Sequence, residues 1–178
     1  MPAADEIRRA IEAVVDPLLN RPLGDLNMVA QVEKSLIGSI KARLLLPVPN
    51  YPLAAELNRL VAEVAGERAL IEMDVMGDEA RTAMMTRLRD SGGPRVGQTG
   101  SATRVIAVSS GKGGVGKSSV TANLAVALAR RGRSVGVIDA DIWGFSIPRM
   151  LGIKDQPVII DQSIIPPRAH GVRAMSME

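Results

Sequence analysis

The hydrophobic period changes several times before residue 90, and each change marks an element. Ile7, Ile11, Val14 and Leu18 recur at helical spacing and predict an opening helix that ends near Asp16-Pro17. A strand-like MVAQVEK follows, then LIGSIKARLLLPV, in which Ile40, Ala42, Leu44 and Leu46 share one face of a strand. The proline-rich PVPNYP breaks that strand. Leu53, Leu57, Leu60 and Val64 then form a second helical stripe, with Gly66 placed to stop it. ALIEMDVMG alternates Ile71, Met73 and Val75 against Glu72 and Asp74, and a polar helix from about Asp78 to Arg89 follows. The order helix–strand–strand–helix–strand–helix predicts a small α+β domain over residues 1–89, with its helices on one sheet face.

Residues 90–103 read as a flexible linker: DSGGPRVGQTGSAT has four glycines, a proline and two serines and almost nothing apolar. Beyond it, TRVIAVSS is a continuous β-branched run, as expected of a buried strand in a parallel sheet. A glycine loop and a helix follow, with Val120, Leu124 and Leu128 on one face, and RSVGVIDAD predicts a second buried strand. GVRAMSM begins a third. Residues 104–178 therefore predict the start of a doubly wound, parallel-sheet α/β domain, and the chain as a whole is α/β in class.

Composition narrows the partners. The 178 residues are 46% hydrophobic and 23% charged, ordinary for a globular protein, but only 2% aromatic, so the core must come from Val, Ile, Leu, Ala and Met. Net charge is +3, and the tight basic cluster Arg130, Arg131 and Arg133 sits at an expected helix end, where it complements the dipole. No aromatic residues interleave with it to stack on bases, so no nucleic-acid partner is expected. The amino-terminal stretch MPAADEIRRAIEAVVD is not patterned as a signal peptide, and no run approaches the roughly 18 apolar residues of a membrane span. Cysteine is absent. A cytoplasmic protein without disulfides or membrane contact is the expectation.

The chemistry is concentrated in Gly111-Lys112-Gly113-Gly114-Val115-Gly116-Lys117-Ser118, which matches G-x-x-x-x-G-K-[ST] between an expected strand and an expected helix. Glycines let consecutive backbone N–H groups turn toward phosphate oxygens, and the helix start adds its positive dipole end. Lys117 is expected to reach the β- and γ-phosphates, and Ser118 to ligate Mg²⁺. Lys112 is a second lysine that one loop does not need. It reads either as a solvated surface lysine or as a group reaching a nucleotide on a partner subunit, as an arginine finger does. Asp139 and Asp141 end the strand VGVIDAD, at the strand end where ligands of such sheets sit. One would stand near the Mg²⁺ shell and the other would position the attacking water.

SGKGGVGKSSVTANLAVALA resembles the deviant phosphate loop of the dimerising MinD, ParA, ArsA and nitrogenase iron-protein ATPases. IDADIWGFSIPRMLG is similar to the Mrp/ApbC branch, the iron–sulfur cluster carrier ATPases, whose stretch usually reads D-A-D-I-Y-G-P-S-I-P-R-M-L-G. Trp143 and Phe145 depart from its Tyr and Pro. AIEAVVDPLLNRPLGDLNMV and PNYPLAAELNRLVAEVAG resemble the PaaD-like metal–sulfur cluster assembly domain, in which a cysteine often precedes the second helix; Tyr51 occupies that neighbourhood here. The resemblance implies ATP and Mg²⁺ as cofactors, bound by Gly111, Gly113, Gly114, Val115, Gly116, Lys117, Ser118 and Ser119. It implies Lys112 acting across a homodimer, Asp141 orienting the hydrolytic water and Asp139 supporting the metal shell. It further implies transfer of an Fe–S cluster, of the [4Fe–4S] type, to recipient apoproteins. That family's cluster-binding cysteines have no counterpart here, so the chain is expected to be an amino-terminal fragment that holds no cluster itself. Two alternatives share these motifs: a ParA/MinD-type positioning ATPase, and a non-catalytic interaction fragment.

Overall fold

The computed structural model describes residues 4–34, 39–66, 68–90, 96, 98–141 and 143–176. The chain divides into two compact units, Met1–Ser91 and Gly92–Glu178. Six of the fourteen residues expected as linker, 91–95 and 97, lie outside the described residues, as do residues 36–38 of the second strand stretch, Ile142 and residues 177–178.

The first unit opens with α1 (Ala4–Glu12), which stops short of the predicted end near Pro17. The reason is local chemistry. The Oδ1 atom of Asp16 accepts the backbone N–H of Leu18 at 3.0 Å and of Leu19 at 2.7 Å, which turns the chain. Ile11 and Leu18 still reach the core, so the apolar spacing survives although the helix does not. Strand β1 (Val29–Lys34) pairs antiparallel with β2 (Ile40–Leu46), with a bulge between Val29 and Gln31. Ile40, Ala42, Leu44 and Leu46 are all buried, as the alternation predicts.

Helix α2 (Ala54–Ala65) buries Leu57 and Val61 and ends at Gly66, whose φ of 99° a side chain would strain. Strand β3 (Leu70–Val75) pairs parallel with β2, which makes β2 the centre of a three-stranded sheet. On its outer side Lys41 pairs with Glu72 and Arg43 with Asp74. These bridges are exposed and worth at most about 1 kcal/mol each. Helix α3 (Asp78–Asp90) buries Met84 and Met85. All six elements follow in the predicted order.

The second unit differs from expectation at its start. Residues 101–110 form no strand, and Val105 and Ile106 are 76% and 61% exposed. A β-branched run becomes a buried strand only when neighbours supply ladder hydrogen bonds and cover its faces. Among the described residues none pairs with this stretch. Helix α4 (Lys117–Arg130) leads through Gly132 into β4 (Val135–Asp139). After α5 (Ile147–Met150) come two short hairpins, β5 (Val158–Ile160) with β6 (Ser163–Ile165), and β7 (Arg168–Ala169) with β8 (Val172–Ser176). The β7–β8 turn places His170 and Gly171 at φ 51° and 80°, the left-handed pair that a two-residue hairpin uses. Strand β8 also pairs parallel with β4, giving the order β4-β8-β7.

The predicted stripe on α4 is not the packed one. The helix buries Ala122 and Ala125 in a cluster with Val137, Ile147, Val172 and Ala174, while Val120 and Leu124 stay exposed. Small residues let the helix approach the sheet closely, and only one face of that sheet is covered. Val137 and Asp139 point into the cluster side, whereas Ile138 is 79% exposed. The unit is thus a mixed α/β assembly with small sheets.

Candidate functional site

The glycine loop supplies the conformations that the sequence demanded at two positions. Gly114 and Gly116 have φ of 73° and 92°, and a Cβ at either would meet nothing within 4 Å. Glycine is required there by backbone conformation, not by crowding. Gly116 is the left-handed N-cap of α4, and it offers no side-chain cap to the helix. No acidic residue lies in the first turn. The N–H groups that open a 14-residue helix are therefore left for an outside acceptor, and the dipole favours an anion. Lys117 and Ser118 begin that helix. This chain's residues fit a nucleotide phosphate with its Mg²⁺.

The other predicted residues take varied positions. Gly111, Lys112, Gly113, Val115 and Ser119 are exposed, whereas Gly116, Lys117 and Ser118 are half-buried. The Lys112 backbone N–H donates to Ser110 Oγ at 3.2 Å. A groove of about 660 Å³ lined by Ala122, Val126, Met150, Leu151 and His170 shares only Ser119 with the loop.

Asp139 is buried, and backbone donors surround its carboxylate. Oδ1 accepts the N–H of Asp141 at 3.2 Å, while Oδ2 accepts those of Ser146 at 3.0 Å and Ile147 at 3.1 Å. It thereby ties the end of β4 to the start of α5. Asp141 is exposed, and its Oδ1 accepts the Gly144 N–H at 3.0 Å. Helix α4 turns back at Gly132 to lie along β4, so its N-terminal end and the carboxyl end of β4 share one end of the unit. Trp143 stands in the Asp141–Gly144 turn, 98% exposed.

Two features escaped the sequence reading. In the first unit Asp16 is fully buried and Tyr51 nearly so, and the phenol donates to Asp16 Oδ1 at 2.8 Å. An Asp before Pro hints at a turn, but nothing local pairs it with a residue 35 positions on. In the second, Gly144 lies against the Asp141 carboxylate, and only its place three residues after an acid could have marked it. Among the described residues no group of acids and histidines is arranged to hold a metal ion, and no helix is long and apolar enough to cross a membrane.

Residues 101–178 match the ParA family, described as the NUBPL iron-transfer P-loop NTPase. An iron–sulfur cluster carrier protein of Mycobacterium bovis is 46% identical over 96% of this chain and 47% of its own length. One from Bacillus subtilis is 36% identical over 97% of this chain and 50% of its own. The chain thus spans about half the length of the curated relatives it matches. A crystal structure of a domain of unknown function, DUF59, from Bacillus anthracis aligns with 46% of the chain and 91% of its own at 19% identity. Its TM-score of 0.33 is too low to argue from.

Proposed function

We propose, from the match of residues 101–178 to the ParA family described as the NUBPL iron-transfer P-loop NTPase, that this chain is the amino-terminal part of an ATP-dependent iron–sulfur cluster carrier. The observation that carries the reading is the left-handed Gly116 cap. It opens α4 with uncapped N–H groups beside Lys117 and Ser118. Those groups and Lys117 would hold the phosphates of ATP, with Ser118 Oγ toward Mg²⁺. Gly111, Gly113, Gly114, Val115 and Ser119 would complete the loop around them. Bound Mg²⁺–ATP supplies a polarised γ-phosphoryl group for transfer to water. Asp141 would orient that water, and Asp139 would support the metal side through the loop it pins. Lys112, exposed at the loop surface, would act across a homodimer on the partner copy's nucleotide.

The cargo would be an Fe–S cluster, of the [4Fe–4S] type, delivered to apoproteins in the cytoplasm. This chain has no cysteine, so thiolates of a longer protein would hold it. The doubly wound sheet would likewise be completed only there, with Met1–Ser91 as the PaaD-like assembly unit.

The test is binding of a fluorescent ATP analogue with Mg²⁺ to this chain and to Lys117→Ala. Saturable binding that the substitution abolishes supports the reading. A folded chain that binds no nucleotide, or binds equally with Lys117→Ala, overturns it.

A further inference from the structure

The turn that follows β4 contains a glycine with a specific steric function. A Cβ at Gly144 would meet Asp141 Oδ2 at 3.0 Å, Oδ1 at 3.1 Å and Cγ at 3.2 Å. All three nearest atoms belong to one carboxylate. The φ of Gly144 lies outside the left-handed region, so the backbone itself would accept alanine. What the missing side chain permits is the close return of the Asp141 carboxylate onto the Gly144 N–H at 3.0 Å. The same turn is closed on the main chain, where Gly144 N–H also approaches the Asp141 carbonyl oxygen at 3.3 Å.

The frame around that turn is pinned as well. Asp139 accepts the Asp141 N–H on one side and the Ser146 and Ile147 N–H groups on the other. Asp139 is 5% exposed, and of its three bonds the one from Ile147 is buried while those from Asp141 and Ser146 are part-buried. The backbone N–H groups of Asp141, Ser146 and Ile147 are thereby held by one carboxylate. Within that frame Gly144 donates to Oδ1 of Asp141 and, among the described residues, no hydrogen bond of the turn reaches Oδ2.

We propose that Gly144 is a positioning residue for Asp141. It fixes the orientation of the carboxylate that would hold the hydrolytic water, within the frame set by Asp139. The inference rests on the assignment of Asp141 under the proposed function. A carboxylate swung by even a small displacement loses its alignment with the reacting water, and a misplacement on the order of 1 Å can cost about 100-fold in rate. An alanine at 144 would push the carboxylate by less, so a fall of about tenfold is expected in turnover. The phosphate loop is untouched, so nucleotide affinity should hold.

The experiment measures kcat for ATP and the Kd of a non-hydrolysable ATP analogue for this chain, Gly144→Ala, Asp141→Asn and the double substitution. The expected result is a tenfold lower kcat for Gly144→Ala with Kd changed less than about twofold, and a double variant no slower than Asp141→Asn alone. Gly144→Ala with parental kcat overturns the inference and leaves the Asp141 assignment standing. So does a double variant well below Asp141→Asn, which would mean that the glycine acts apart from the acid. Parental kcat in Asp141→Asn sinks the assignment and the inference with it. A second readout needs no turnover: the Gly144 amide resonance should shift when Asp141→Ala removes the carboxylate that accepts its N–H. An amide indifferent to Asp141 would overturn the contact on which the proposal stands.

Discussion

The phenol of Tyr51 donates a 2.8 Å hydrogen bond to the buried carboxylate of Asp16. That carboxylate also accepts the N–H groups of Leu18 and Leu19. One oxygen thus joins the turn after α1 to the approach to α2. Tyr51→Phe keeps the ring and removes only the hydroxyl. We expect it to lower the unfolding free energy of the first unit by about 1–3 kcal/mol, the cost of taking a donor from a buried acceptor. Urea unfolding of the whole chain followed by circular dichroism checks this, and an unchanged midpoint would show that the hydroxyl is dispensable.

Gly116→Ala should weaken nucleotide binding through the backbone. A Cβ in the left-handed region costs roughly 1–2 kcal/mol, and φ here is 92°. The chain would relieve the strain by rotating the cap and misaligning the first N–H groups of α4. About tenfold weaker binding of the ATP analogue is expected, since 1.4 kcal/mol is a factor of ten. Equal titration curves for parent and variant would place the phosphate elsewhere.

Arg59 holds the Glu56 carboxyl below the ordinary glutamate range, first by hydrogen bonding and then by charge attraction. A lowered folded value means stability that is present above the unfolded value and lost as pH falls through the folded one. Arg59→Ala should therefore raise the Glu56 titration midpoint in a carboxyl-detected NMR titration. Because the pair is exposed, denaturation near neutral pH should change little.

Ile138 offers a contrast, since it is strongly apolar yet 79% exposed on the uncovered face of β4. Ile138→Lys should alter unfolding of this chain by no more than about 0.5 kcal/mol, the usual range for a surface change. It should also reduce association through the open edge and face of β4, because an edge lysine disfavours strand addition. Light scattering against concentration reads that effect. A destabilisation of several kcal/mol would show that the face is covered in solution.

Much of this was legible along the chain. The alternation of Ile40, Ala42, Leu44 and Leu46 became one buried face of β2, and Gly66 ended α2 as its position predicted. The phosphate-loop pattern carried its own geometry, because glycine, lysine and helix start lie within eight consecutive residues and need no distant partner. Asp139 and Asp141 were singled out by position as candidates, and the sequence did not reveal that backbone donors encircle Asp139.

By itself the sequence determined features set by local covalent geometry: helical and strand periods, glycine-permitted turns and the order of elements. Tertiary structure decided the rest, because burial depends on what lies opposite. Val120 and Leu124 have the right spacing for a core stripe, yet Ala122 and Ala125 face the sheet. Val105 and Ile106 have strand chemistry but no ladder, since a strand exists only with the neighbour that bonds it. Asp16 with Tyr51 was settled by contact across 35 positions, and Gly144 with Asp141 by the space a turn left for one carboxylate. Neither distance is written in a local pattern.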